Sequence, residues 1–181
     1  DNVVISNNYS TNRSIAGVYS EGNITVVNST FQDNVGVNSS GGGVALNLEY
    51  SGSGKRRNVI NSTFYNNINT GSGNNSAAIY VDREGANIVN CTIIDNSTGI
   101  YTYAMGENND EVHVVNSVVL GSIENDIYNN NNTTRSNGVR FYNSVVGTMQ
   151  TDYAPSFYYS NTISNTSIVN SGIVTPTTND N

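Results

Sequence analysis

The stretch VVNSTFQDN at positions 26–34 returns as VINSTFYNN at 59–67 and as IVNCTIIDN at 88–96. Each copy carries two β-branched residues, an Asn, a small residue, a bulky apolar centre and a closing Asn. With the Asn before the small residue as reference, the positions are Asn28, Asn61, Asn90, Asn116, Asn143 and Asn170, at intervals of 33, 29, 26, 27 and 27 residues. Counting back 27 from Asn28 reaches Asp1 and puts Val4 in the place of Phe31, so the chain holds about six and a half units.

The columns around the reference are consistent. Two before it stand Val26, Val59, Ile88, Val114, Phe141 and Ile168; one after it stand Ser29, Ser62, Cys91, Ser117, Ser144 and Ser171. Three after it stand Phe31, Phe64, Ile93, Val119, Val146 and Ile173. A second strand signal follows in each unit, as Gly17-Val18-Tyr19, Gly43-Val44-Ala45, Ala78-Ile79-Tyr80, Gly99-Ile100-Tyr101, Asp126-Ile127-Tyr128 and Ser156-Phe157-Tyr158. Asn, Gly and Ser clusters separate the signals and supply turn chemistry. Short strands repeating without helical patterning predict a β-solenoid. The expectation is an all-β, right-handed parallel β-helix of about six to seven coils with 26–33 residues per coil, over residues 1–174, followed by a polar tail at 175–181. Right-handed crossovers are strongly favoured between parallel strands. Identical letters recur because each side chain's neighbour is its own copy one rung away. The reference Asn suits a bend, since it tolerates the left-handed conformation and its amide can bond the next Asn.

Composition narrows the function. The 181-residue chain has 12% charged residues, a net charge of −7 and one Cys, and roughly a fifth of it is Asn. The acidic balance argues against nucleic acid, whose phosphates demand Lys and Arg. The compact basic cluster Lys55-Arg56-Arg57 reads as a solvated loop. No run reaches the length of a membrane span. Cys91 occupies a small-residue column and reads as an inward thiol.

Phe31-Gln-Asp-Asn34 followed by Gly41-Gly-Gly-Val-Ala45 resembles the paired FxxN and GGA[ILV] repeats of chlamydial polymorphic membrane proteins, and Phe64-Tyr-Asn-Asn67 with Ser76-Ala-Ala-Ile-Tyr80 is a weaker copy. The Asn-Ser-Thr-Phe style also resembles adhesin-like surface proteins of methanogenic archaea. The resemblance implies a right-handed parallel β-helix. That class spans surface adhesins, autotransporter passengers, phage tailspikes and polysaccharide-cleaving enzymes, so it constrains fold more than function.

Candidate sites are few. The single His, His113, lies in a strand without the Gly flanks of polygalacturonase-like enzymes. Asp33 and Asp95 share a register with Asn66 between them, which two rungs set roughly 9–10 Å apart, at the wide edge of inverting glycosidase geometry. Turn-forming Asp is the stronger reading. No metal or cofactor is expected. Tyr19, Tyr80, Tyr101, Tyr128 and Tyr158 are expected to face outward as an aromatic row able to stack on sugar or bury against another protein. Asn8, Asn12, Asn74 and Asn131 are the loop sequons expected to accept glycans. The chain opens in a core-like strand at Asp1, which fits a mature subunit or an excised segment. End coils open to pairing imply head-to-tail self-association. The leading expectation is a secreted, non-enzymatic, adhesin-like cell-surface protein able to form a filament or sheath. A carbohydrate-active or carbohydrate-binding β-helix and a phage fibre segment are the alternatives.

Overall fold

The computed structural model describes residues 1–11, 15–37, 42–50, 52, 54–72, 76–103, 111–130, 138–151 and 157–164. Every strand pairing among them is parallel and joins strands one coil apart. A seven-stranded core-ladder sheet stacks Val4–Ser6, Thr30–Gln32, Thr63–Tyr65, Thr92–Ile94, Val118–Leu120, Val145–Val146 and Ile163–Ser164. A six-stranded tyrosine sheet stacks Val18–Ser20, Gly42–Leu48, Ser76–Asp82, Thr98–Tyr103, Asn125–Asn130 and Met149–Thr151. A six-stranded flank sheet stacks Ile24–Val27, Arg57–Ile60, Ala86–Val89, Val112–Val115, Val139–Tyr142 and Phe157–Ser160. A minor sheet joins Tyr9–Ser10, Val35–Gly36 and Ile68–Asn69. The chain is a parallel β-helix.

The turn between flank and core-ladder sheets is made by Asn2, Asn28, Asn61, Asn90, Asn116, Asn143 and Asn161, all with φ between 48° and 54°. Among non-glycine residues Asn enters this region most readily. The Nδ2 of Asn90 donates to the Oδ1 of Asn61 at 3.1 Å, and that of Asn61 donates to Asn28 at 3.4 Å. A second turn, five residues on, uses Asn7, Asp33, Asn66 and Asp95 at φ 51–58°, then Gly121 at 74°.

Inside, like lies over like. Ile5, Phe31, Phe64, Ile93, Val119 and Val146 follow one another in register. The Phe31 and Phe64 rings stack with centroids 4.7 Å apart and 5° between planes. Burying one such ring contributes about 1.5–3 kcal/mol. Ser29, Ser62, Cys91, Ser117 and Ser144 are all buried. The Ser29 amide donates to Ser62 Oγ at 3.1 Å and the Ser117 amide to Ser144 Oγ at 3.2 Å.

Three sequence expectations shift. The first bend is Asn2, not Asp1, so Ile5 rather than Val4 stands under Phe31, while Val4 is 68% exposed. One residue of slip exchanges the two faces of a strand. In the second unit Gly43-Val44-Ala45 does not lie under Ala78-Ile79-Tyr80. A bulge between Gly43 and Leu46 places Leu46 beside Ile79 and Asn47 beside Tyr80. In the last coil Phe157–Ser160 belongs to the flank sheet beside Val139–Tyr142, so Tyr158 pairs with Arg140 and leaves the tyrosine sheet. Tyr159 then turns inward and stacks on Phe141 at 5.4 Å, which fixes that register. The bend over Asn143 is consequently Asn161, and Ser164 follows Val146. Asn170 and Ile173 lie outside the described residues.

Candidate functional site

The closing Asn of the opening motif builds a continuous polar ladder in the interior. Asn34, Asn67 and Asn96 are each fully buried. Asn8 Nδ2 donates to Asn34 Oδ1 at 2.9 Å, Asn34 Nδ2 to Asn67 Oδ1 at 2.8 Å, and Asn67 Nδ2 to Asn96 Oδ1 at 3.0 Å. The second hydrogens of Asn34, Asn67 and Asn96 go to backbone carbonyls of the preceding coil, at Ile5, Phe31 and Phe64. Sequence reasoning concentrated on the reference Asn and overlooked this ladder. Its signal was the fixed six-residue offset of Asn34, Asn67 and Asn96 from that reference.

The expected carboxylate pair is absorbed by the same logic. Asp33 and Asp95 sit at left-handed bends, and Asn66 Nδ2 donates to Asp33 Oδ1 at 2.8 Å. They act as turn formers.

The expected outward tyrosine row is split. The register reads Tyr19, Asn47, Tyr80, Tyr101, Tyr128, Gln150. Tyr80, Tyr101 and Tyr128 do stack, with centroids 5.3 and 4.9 Å apart. Yet Tyr101 is only 1% exposed, and Tyr80 and Tyr128 are half-buried, so the middle of the stack is closed to a ligand. Burial, followed by the charges of Asp82 and Glu49, raises the Tyr80 hydroxyl far above its ordinary value. Tyr19 is exposed, and its hydroxyl donates to Glu21 at 2.5 Å. Beside Tyr128, a shallow hollow of about 230 Å³ is lined by Glu124, Asn125 and Gln150, with Asn125 Nδ2 donating to Gln150 Oε1 at 3.1 Å.

Arg57 departs most from the solvated-loop reading. It begins a flank strand whose alternation turns Arg57 and Val59 inward, and it is 1% exposed. Its guanidinium lies 2.8 Å from the buried Glu84 and also donates to the carbonyls of Asp82 at 3.1 Å and Glu49 at 2.5 Å. One side chain thus clamps the ends of two adjacent tyrosine-sheet strands. Close by, burial pushes the Asp82 carboxyl up to about 6, with Arg83 opposing and Glu49 adding to the rise.

The outer face of the flank sheet carries a second register row: Thr25, Asn58, Asn87, His113, Arg140, Tyr158. Asn87 Nδ2 donates to Asn58 Oδ1 at 3.0 Å. Glu111 joins His113 at 3.2 Å and pairs with Arg140, whose guanidinium lies 4.3 Å above the Tyr158 ring. The hydrogen bond from Arg140 holds the Glu111 carboxyl below the usual carboxylate range despite its partial burial. Here the row forms the floor of an open groove of about 340 Å³, with Lys55 and Arg56 on its lip and Gly85 and Glu111 on its wall. Tyr158 therefore contributes to this face. The sequence signal was the alternation of the flank strands, which separates Asn58, Asn87 and His113 from the inward Val59, Ile88 and Val114.

Of the expected glycan acceptors, Asn12, Asn74 and Asn131 lie outside the described residues. Asn8 is exposed, but the nitrogen a glycan would occupy is the one bonded to Asn34. Burial pushes the Cys91 thiol up, and its Sγ approaches the carbonyls of Val59 and Val89 at 3.4 and 3.3 Å. Among the described residues no three metal-ligating side chains come together, and no helix is long and apolar enough to cross a membrane. Compared with known proteins, the chain matches no family model, no curated protein and no solved structure.

Proposed function

We propose that this β-helix is a secreted, non-enzymatic, adhesin-like structural protein of a cell surface, which presents its flank face to ligands. One observation carries the reading. The repeated polar residues, from which a repeat-built catalytic site would be drawn, are committed to holding coil on coil. Asn34, Asn67 and Asn96 bond along the column, Ser29, Ser62, Ser117 and Ser144 receive the amides of neighbouring coils, and Asp33 and Asp95 form bends. What varies from coil to coil is the outward row, as expected of a scaffold whose exterior alone meets a partner. The low charge and the regular parallel stacking of coils fit a static, repetitive surface layer. The same stacking rule that joins coils within a chain would join columns end to end into a filament.

Incubating the purified protein with a panel of polysaccharides tests the central part. No release of reducing ends or unsaturated products is expected. Release that disappears in Asp33→Asn would replace this reading with a carbohydrate-active one. Electron microscopy of concentrated protein tests the filament, and monodisperse particles at every concentration would remove it.

A further inference from the structure

We propose that the groove on the flank sheet is a binding site for an acidic polysaccharide, with Lys55 and Arg56 receiving its carboxylate or sulfate groups and Asn58, Asn87 and His113 reading its hydroxyls. The proposal rests on the adhesin-like reading and names the ligand class of its flank face.

Three observations converge. The first is charge placement. The chain has 7 Lys and Arg against 14 Asp and Glu, so positive charge is scarce. Among the described cations, Arg57 is buried against Glu84, and Arg83 lies 3.4 Å from Asp82. Lys55 and Arg56, by contrast, make no side-chain ion pair or hydrogen bond with any of the described residues, and both line one groove. The groove's own acid, Glu111, is already paired with Arg140 and His113, so it does not cancel them. An acidic protein with two unpaired cations at a concavity presents a local anion site within a repelling field.

The second is the floor. Asn58, Asn87 and His113 occupy successive rungs of one row. Amides and imidazole offer both donors and acceptors, the mixture that hydroxyl groups require. Rungs repeat at roughly 4.8 Å, close to the advance of one sugar residue in an extended chain. A linear saccharide lying along the column would therefore meet the row residue by residue. Beyond His113 the row continues through Arg140 to the Tyr158 ring, whose guanidinium-covered face ends the track.

The third is preorganisation. Asn87 is held by Asn58, and His113 is held by Glu111 and by an edge contact with the Tyr142 ring at 6.0 Å. The side chains are fixed before a ligand arrives, which lowers the entropy cost of binding. Nucleic acid fits less well, because the residues lining the groove include no Phe, Tyr or Trp on which bases would stack.

The test measures retention of the full chain by affinity electrophoresis in gels containing polygalacturonate, dextran sulfate or neutral dextran. The first two arms separate carboxylate from sulfate recognition. Retention is expected in at least one acidic gel, weakening as salt rises, with none in dextran. The double variant Lys55→Gln/Arg56→Gln is expected to lose at least about tenfold in affinity, a change of about 1.4 kcal/mol, with an unchanged circular dichroism spectrum. Asn87→Ala, which touches the floor and leaves the charge intact, should also weaken retention. Absence of retention in both acidic gels, equal retention of the double variant, or tighter binding of a single-stranded oligonucleotide would overturn the assignment. Cleavage of a polymer that the wild type binds and the double variant does not would instead overturn the non-enzymatic reading and leave this site standing.

Discussion

Asn67 and Asn61 are the same residue type in one coil, yet they do different work. Asn67 is buried and joins three coils through its amide, while Asn61 is exposed at a left-handed bend. Replacing Asn67 with Ala leaves one Asn34 hydrogen without a partner and removes the amide's bonds to the Phe31 carbonyl and to Asn96 Oδ1. That should cost on the order of 3 kcal/mol in urea denaturation. Asn61→Gly keeps the bend and loses only exposed amide contacts, so a change within about 1 kcal/mol is expected. Equal losses would mean that the inner ladder is not what holds the coils. Cys91 offers the complementary case. Its column is otherwise Ser, and Cys91→Ser should leave the thermal midpoint unchanged or slightly higher. Burial raises the thiol pKa, so the thiolate is scarce, and a disulfide reagent should label the native chain only as fast as it unfolds. Both bends and both Asn columns were present in the letters. What the letters lacked was a way to tell the buried Asn from the exposed one, because that depends on the chain turning again at Asp33, Asn66 and Asp95.

At the scale of the element, the tyrosine sheet shows why some of its strands carry Gly near their start. A Cβ on Gly99 would sit 2.4 Å from the Asp126 carbonyl oxygen and 2.9 Å from Val119 Cγ1. Gly99→Ala should therefore destabilise by about 2–3 kcal/mol, whereas Gly22→Ala, with open space around it, should be neutral by thermal melting. The end of the same sheet carries a pH response. The folded-state pKa of Asp82 is raised to about 6, above its ordinary 3.8. The native state then holds a proton that the unfolded chain gives up, so stability is greatest below about 4 and falls as pH rises through the window to 6. A loss of about 1–2 kcal/mol is expected between pH 4 and pH 7, and Asp82→Asn should flatten it. A pH-independent midpoint in wild type would show that Asp82 ionises freely. Strand content and parallel pairing were legible from period alone. The bulge at Gly43 and the displacement of Tyr158 were not, because loop lengths between rungs vary independently of the strands. Arg57 was hidden for another reason: charge pointed outward while alternation pointed inward, and alternation won because Glu84 and three carbonyls receive it.

For the whole molecule, contacts run almost entirely between one coil and the next, so stability should be close to a sum of rung and interface contributions. This makes the coil a removable unit. Deleting residues 91–116 excises one interval of 26 and joins Asn90 directly to Ser117, which rebuilds the Val-Asn-Ser bend. Phe64 would then meet Val119 where it now meets Ile93, and the Ser62 amide would meet Ser117 where it now meets Cys91. These replacements are apolar for apolar and small for small, so the core and serine ladders close again, while the buried Asn ladder ends at Asn67 instead of Asn96. The shortened chain should stay soluble and keep a β-type circular dichroism spectrum, with a moderately lower melting temperature. Deleting residues 91–103 removes Thr92–Ile94 and Thr98–Tyr103 but keeps the flank strand Val112–Val115. The coil could no longer reach round the column, and the sheets above and below would lose register together, so this variant should aggregate or unfold. Size-exclusion chromatography with circular dichroism distinguishes the two. If both deletions unfold alike, coils are not interchangeable, and the unequal loops between rungs must carry specificity that the repeated letters do not.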